Sequence, residues 1–498
     1  MTTKKVNTTP ITGAEGQQPP GGIPPKQPNT NAEKKEIQTS FLDYNGWLFE
    51  EVYHDGVASF ACWDGQQVSY CDRVVAPTVE YVPILDDRIT KQVISLPQKA
   101  QDYGNTVNLL DEIRAFIHKY ADISPADEYW CSWYVLHTHI YDKLRTSPLL
   151  RFIGDIGCGK SRCLETIGGL CYKPISMSGA ITIAPIFRMI ETFKGTVIID
   201  EADWSRSDAQ HFIVKILNNG FQQTSTVTRC KPNNPCEIDA FSIFCPKVLA
   251  TRYGFNDQAL ESRCIIVRME ETGRDDIPTL LNPTMYANQL AIRNKLLMFR
   301  LKNLASTSIE EIDLPIDDRR VRQTVMPLAQ PLINFPDELT RLKQLVIDFA
   351  KENVKVRADS PEGLVVNALI QIVDSGEKVI TSDDVSKEIA KASGNPTKTG
   401  MTASRVGTIL RSLGIDRELK RVNGVPKRVI KIDNVKLTKL KRKYVIPLEG
   451  QTNDNEADVL DGSRYARNAR NGNSDTEPSA EGKEADDDDD DGWDSSPI

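Results

Sequence analysis

The sequence predicts an α/β fold: a core of short apolar strands alternating with helices, then a helical segment, then a small three-helix unit closed by a hairpin. Three observations predict it. Ser147 to Ile153 reads as a strand and runs directly into Gly154-Asp155-Ile156-Gly157-Cys158-Gly159-Lys160-Ser161, after which Arg162, Cys163, Leu164 and Ile167 read as a helix. Gly195-Thr196-Val197-Ile198-Ile199 is a second β-branched run, ending on Asp200-Glu201. Helical runs at about 363 to 374, 382 to 392 and 402 to 413 lead to an Asn423-Gly424 turn between two basic, β-prone runs.

At 498 residues the chain exceeds what one core usually organises, and about two to four domains are expected. With 40% hydrophobic and 26% charged residues its middle must be globular. No apolar run follows the basic start, and none approaches the roughly 18 residues of a membrane span, so a soluble, cytoplasmic protein without membrane contact is expected. The ten cysteines include no C-x-x-C pair and no Cys/His spacing of a zinc site. Reduced thiols filling core space are the expectation.

Composition divides the chain. Residues 1 to 40 are Pro, Gly, Gln, Thr and Asn with little to bury, and 447 to 498 end in Asp486 to Asp491, Gly492, Trp493 and Asp494, so both ends are expected to be disordered. The net charge of −8 hides an asymmetry. The last 48 residues carry 15 acidic and 4 basic side chains, a balance of −11 that leaves +3 for the rest. From Lys398 to Lys443, 14 basic residues face Asp416, Glu418 and Asp433, giving +11. Between the tails, 41 to 105 is aromatic and β-branched with turn signals such as Asp64-Gly65, a small β-rich module. A core with leading helices at about 106 to 120 and 124 to 143 spans 106 to 283, helices broken at Pro315, Pro327 and Pro331 span 284 to 358, and the basic unit spans 359 to 446.

The octet satisfies G-x-x-x-x-G-K-[ST] in its required setting, strand before and helix after. Gly154, Gly157 and Gly159 let the backbone curl so that N–H groups, including those of Asp155, Ile156 and Cys158, point at phosphate oxygens, aided by the helix N-terminus. Lys160 reaches the β and γ phosphates of ATP, and the Ser161 hydroxyl ligates Mg²⁺. Asp200 holds the Mg²⁺ shell, and Glu201 polarises the attacking water as general base.

The stretch that follows resembles the AAA+ ATPases, among them the MCM-like helicases and those of phages and mobile elements. After Asp200-Glu201 comes a helix, Ala209 to Asn219, and then two β-prone runs, Thr224 to Cys230 and Cys236 to Phe244, around Lys231-Pro232-Asn233-Asn234-Pro235. The resemblance implies a hairpin that enters a ring's pore and grips nucleic-acid backbone with Lys231, backed by Arg229; the alternative is an ordinary solvated lysine. Lys247 to Thr251 is similar to the strand whose end senses the γ-phosphate, with Thr251-Arg252 where the family often has Asn. Ala259-Leu260-Glu261-Ser262-Arg263 resembles the segment whose arginine reaches a neighbouring subunit's nucleotide, which implies that the chain must oligomerise, as a hexamer in such motors. Residues 284 to 358 are consistent with the family's helical lid, and Arg320 is the candidate second sensor, with Arg319 and Arg322 beside it.

Three helices and an Asn-Gly hairpin make the layout of a winged helix, with Arg405 and Arg411 on the recognition helix and Lys420, Arg421, Lys427 and Arg428 on the wing. Phosphate contact is expected over base readout, and a protein partner or the chain's own ring is the alternative. The acidic tail either solvates the protein, masks the basic wing, or recruits a replication partner through Trp493. The expected function is a ring-forming, ATP-dependent DNA helicase or translocase in the replication of a phage or mobile element, in a bacterial or host cytoplasm. The alternatives are an ATP-switched DNA-binding initiator or helicase loader, and a defence or regulatory ATPase without DNA.

Overall fold

The computed structural model describes residues 34–445 except 178–182, 201, 203–207, 232–233, 256, 378, 393–400 and 423. Residues 1–33 and 446–498 and the Asn423 half of the predicted turn therefore lie outside the described residues, but the end of the first tail is not disordered as expected: Lys35–Gln38 forms a strand paired parallel with Val79–Val82. At the centre is a five-stranded parallel sheet: β1 (Leu149–Ile153), β2 (Ile175–Met177), β3 (Val197–Ile199), β4 (Lys247–Thr251) and β5 (Cys264–Arg268), in the order β5-β1-β4-β3-β2. Parallel strands need crossover connections, and the helices Lys160–Thr166, Ile183–Phe193 and Asp208–Asn219 provide them. With both faces covered, the strands are apolar almost throughout.

Alternation divides the sheet between two cores. Leu150, Phe152, Ile198, Val248, Ala250, Ile265 and Val267 pack with the leading helices Thr106–Tyr120 and Pro125–Thr138 and with helix Arg319–Ala329. Leu149, Val197, Ile199, Leu249 and Cys264 pack on the other face with helices 183–193 and 208–219. Two charges are buried within the strands. Arg151 pairs with Glu261 at 2.6 Å under the Phe255 ring, and Lys247 donates to the carbonyls of Gly220 at 2.8 Å and Cys245 at 2.7 Å.

Residues 41–71 form a four-stranded antiparallel sheet, Phe41–Tyr44, Trp47–His54, Val57–Trp63 and Val68–Cys71. Its two tight turns are Asn45-Gly46 and Asp55-Gly56, whose central residues all have positive φ (53° and 78°, 49° and 82°), the hairpin turn that matches strand twist. Leu48, Val52 and Ala61 pack against Leu297 and Leu301 of helix Pro283–Asn303 and against Leu304, which caps its end. A buried polar knot locks the same face: the Glu50 carboxylate takes the Tyr172 hydroxyl at 3.0 Å, the Lys173 amine at 2.9 Å and Arg300, which also grips Asp142 at 2.8 Å.

The segment after the sheet is helical: 283–303, 319–329 and Pro336–Ala358, with Asn282, Asp318 and Phe335 as N-terminal boundary residues. Pro327 does not break a helix as the sequence suggests. It lies inside 319–329, buried against the leading helices. Helices Pro361–Asp374, Ser382–Ala392 and Ala403–Ser412 then precede the hairpin Arg417–Val422 and Val425–Ile430, with Gly424 at φ 80°. A last helix, Asn434–Tyr444, closes this core through Leu440 and Tyr444. Among the described residues no helix is long and apolar enough to cross a membrane, and no group of three or more His, Cys, Asp or Glu gathers for a metal.

Candidate nucleotide site

The phosphate loop leaves β1 at its carboxyl end. A side chain at Gly154 would meet the Met269 carbonyl at 2.4 Å and Cys158 Sγ at 2.8 Å, so only glycine lets the chain turn there. Gly157 and Gly159 both take φ 87°, and Gly159 caps helix 160–166 in the left-handed conformation. The Lys160 amine is folded into the loop, donating to the carbonyls of Gly154 at 2.8 Å and Asp155 at 2.5 Å, while Cys158 Sγ donates to Asp155 O at 3.0 Å. Asp155, Ile156 and Ser161 are exposed, the side of the loop open to a ligand.

Sheet order decides what else stands at this edge. β4 lies between β1 and β3, with Thr251 level with Ile153 and Leu249 level with Ile199. The carboxyl ends of β1, β4 and β3 therefore present Lys160 and Ser161, Thr251, and Asp200 side by side. The carboxyl edge is where ligands of open α/β sheets bind. Asp200 is half-buried, its N–H reaching Met177 O at 3.4 Å. Glu201 lies outside the described residues. Thr251 is buried, and its Oγ1 is without a hydrogen-bond partner, an orphan that a phosphate oxygen or a phosphate-bound water would satisfy. A glycine cradle with a lysine fits a nucleotide's phosphates, and the Ser161 hydroxyl with the Asp200 carboxylate forms the hard oxygen set that suits Mg²⁺.

Arg263 stands elsewhere. It precedes β5, whose Cys264 is level with Leu149, and its carbonyl accepts from Leu149 N at 3.0 Å. It is thus at the amino edge of the sheet, a five-residue strand or about 16 Å from its own phosphate loop. Its guanidinium donates to Asn218 Oδ1 at 2.8 Å and Ala259 O at 2.6 Å over the Phe221 ring, while its buried Nε has no partner. Burial, and after it the charge of nearby Arg320, holds its pKa below the usual arginine value.

Arg320 belongs to the same amino edge. Its helix is tied there by Thr324 Oγ1 donating to Ser262 O at 3.2 Å and Thr146 Oγ1 donating to Gln323 O at 3.4 Å. Arg320 is thus grouped with Arg263 at the amino edge rather than with the phosphate loop of its own chain. Arg322 turns to Ile316 O at 3.3 Å and Asp313 at 3.7 Å.

The strands Thr226–Lys231 and Asn234–Ser242 pair antiparallel with a bulge between Cys230 and Lys231. Their base is fixed to helix 183–193 by the Phe187–Phe241 ring pair at 4.8 Å and by Ser242 N donating to Glu191 at 2.6 Å. Arg229 lies 5.5 Å over the Phe187 ring. Lys231 is exposed near the tip and pairs with Glu237 at 2.6 Å.

In the basic unit Arg405, Arg411, Lys420, Arg421, Lys427 and Arg428 are all exposed. Two further features escape the motif. Arg417 crosses Gly407, where any Cβ would meet its guanidinium at 2.2 Å, and its pKa is lowered by burial and then by the charges of Arg411 and Arg428. Helix 434–444 presents exposed Lys439, Lys441, Arg442 and Lys443. The charge excess counted in the sequence was the signal for both, but it carries no spatial address.

No protein-family model and no curated protein matches the chain. Among solved structures, the apo C-terminal region of NrS-1 in its A form is similar over 78% of this chain and 97% of that one, at 13% identity and TM-score 0.34. SCCmec type IV Cch, described as an active helicase, is similar over 82% and 81%, at 11% identity and TM-score 0.37. A full-length MCM homolog from Methanopyrus kandleri is similar over 60% and 76%, at 10% identity and TM-score 0.30.

Proposed function

We propose that this chain is an ATP hydrolase whose active sites form between copies arranged in a ring, and that the ring moves along or opens DNA in the replication of a phage or mobile element. The observation that carries it is the split of the machinery across the sheet. Cradle, Thr251 and Asp200 occupy the carboxyl edge, whereas Arg263, with an unsatisfied Nε, occupies the amino edge, about 16 Å away. One copy supplies the phosphate loop, Ser161 and Asp200 for Mg²⁺, and Glu201 for the water. Its neighbour supplies Arg263 with Arg320. A guanidinium delivered in trans neutralises charge on the transferred phosphoryl group, worth about 10³ to 10⁵ in rate in GTPases that use one. The resemblance to ring helicases supports six copies and a cytoplasmic motor.

The hairpin at 226–242 and the basic unit supply the cationic surface a motor needs, with Lys231 and Arg229 on the first and Arg405, Arg411, Lys420, Arg421, Lys427 and Arg428 on the second. Strand displacement of a forked duplex with ATP tests it: wild type unwinds, and Lys231→Ala loses unwinding while ATP binding persists. Absence of unwinding by either protein, with tight ATP-dependent duplex binding, would instead establish the second reading, an ATP-switched initiator or loader. The exposed Arg411 and Arg428, whose charges act on Arg417, favour that reading, because such a basic surface suits a duplex backbone.

A further inference from the structure

A cavity of about 390 Å³ opens beside edge strand β2, between helix 160–166, helix 283–303 and the segment around Ser95, with none of residues 154–161 in its lining. That size suits a small organic molecule. Its wall is mixed: Leu164, Pro174, Ile198 and Leu290 are apolar, and Ser176 is exposed on β2. Arg293, from helix 283–303, lines it.

Arg293 is under-satisfied. Among the described residues its one hydrogen bond is from Nη1 to Gly169 O at 3.4 Å, its buried Nε has no partner, and it forms no ion pair. Burial alone lowers its pKa to about 10, with no nearby carboxylate raising it. The Glu165 carboxylate, also in the wall, is engaged by the Tyr286 hydroxyl instead. Among the described residues, the buried arginines Arg151 and Arg300 by contrast face carboxylates, Arg151 that of Glu261 and Arg300 those of Glu50 and Asp142. A buried cation without a counter-charge is costly unless an anion is supplied, and a guanidinium offers two parallel N–H donors to a planar or tetrahedral oxyanion.

We infer that this cavity is a second ligand site, separate from the phosphate loop, that takes a small organic oxyanion, a carboxylate or phosphate ester, on Arg293 with its apolar body against Leu164 and Ile198. The test uses the full chain carrying Lys160→Ala, to weaken the phosphate loop, with phenyl phosphate and benzoate as probes in calorimetric titration and thermal melts. At least one probe binds and raises the melting temperature, and which one does separates the phosphate from the carboxylate source. Binding weakens about ten- to a hundredfold in Arg293→Gln, as expected for a lost charge-assisted bond, and partly recovers in Arg293→Lys. Ala287→Trp is exposed at the cavity wall, leaves Arg293 in place, and abolishes binding if the ligand occupies this space. Failure of both probes to bind, or equal binding by Arg293→Gln and Ala287→Trp, overturns the assignment.

Discussion

At the scale of single residues, two buried groups without partners make opposite predictions. Thr251 Oγ1 has no hydrogen-bond partner among the described residues, so its burial costs free energy unless a ligand uses it. Thr251→Val keeps the shape and removes the hydroxyl. Melting should show stability unchanged or raised by up to about 1 kcal/mol, while ATP turnover falls tenfold or more. A loss of stability with normal turnover would mean that the hydroxyl is structural. Glu51 is the other case. Burial, only partly offset by Lys173, raises its pKa to about 8 from the ordinary glutamate value of 4.5, and neither carboxylate oxygen has a side-chain hydrogen-bond partner among the described residues. The folded protein keeps this proton to about pH 8, whereas the unfolded chain releases it near 4.5, so the group's contribution is fully present below 4.5 and is lost as pH rises toward 8. Glu51→Gln, which stays neutral, should melt with wild type near pH 4.5 and above it at pH 8.5, by an amount that grows steadily between.

At the scale of elements, the hairpin 226–242 carries its own counter-charge, because Glu237 holds Lys231 at 2.6 Å with both side chains about half exposed. An exposed pair of this kind contributes little to stability, so its charges are available for another use. In DNA titrations across salt, Lys231→Ala should weaken binding and reduce the log–log salt slope by about 1, while Glu237→Gln should tighten binding at low salt. Equal slopes for wild type and Lys231→Ala would remove the hairpin from the DNA path. The same scale shows what the sequence discloses. The phosphate loop is legible because strand, glycines, Lys160 and helix are contiguous and each glycine answers a local steric demand. Side-by-side placement of Ile153, Thr251 and Ile199 is not, since pairing among β1, β4 and β3 joins residues up to about a hundred apart and no local pattern encodes it. Pro327 misleads for a related reason: its ring forbids a bond from its own nitrogen, yet packing against helix 125–138 holds the helix through it. Helix 434–444 is hidden because its lysines obscure the two residues, Leu440 and Tyr444, that bury it.

At the scale of the whole molecule, the fold sets the phosphate loop and Arg263 at opposite edges of the sheet. Leu149 level with Cys264 and Ile153 level with Arg268 leave Arg263 a full strand from the loop that begins at Gly154. No rotamer of an arginine spans about 16 Å, so the finger and the cradle of one chain cannot share a nucleotide. In the proposed assembly a head-to-tail contact between copies would close the gap, and closure of such heterologous contacts would yield a ring. Turnover per chain should therefore rise with protein concentration, and Lys160→Ala and Arg263→Ala should each be inactive alone. Mixed before assembly, the two defective chains should recover activity. An Arg263→Ala copy still offers an intact cradle, a Lys160→Ala copy still offers an intact arginine, and random mixing in equal amounts places them in the productive order at about a quarter of the contacts. Activity restored toward that fraction, measured as ATP hydrolysis at fixed total protein, is the signature of a shared site. A mixture as inactive as its parts, or an Arg263→Ala chain that turns over normally as a monomer, would mean that each chain completes its own site and that the amino-edge arginines serve only the fold.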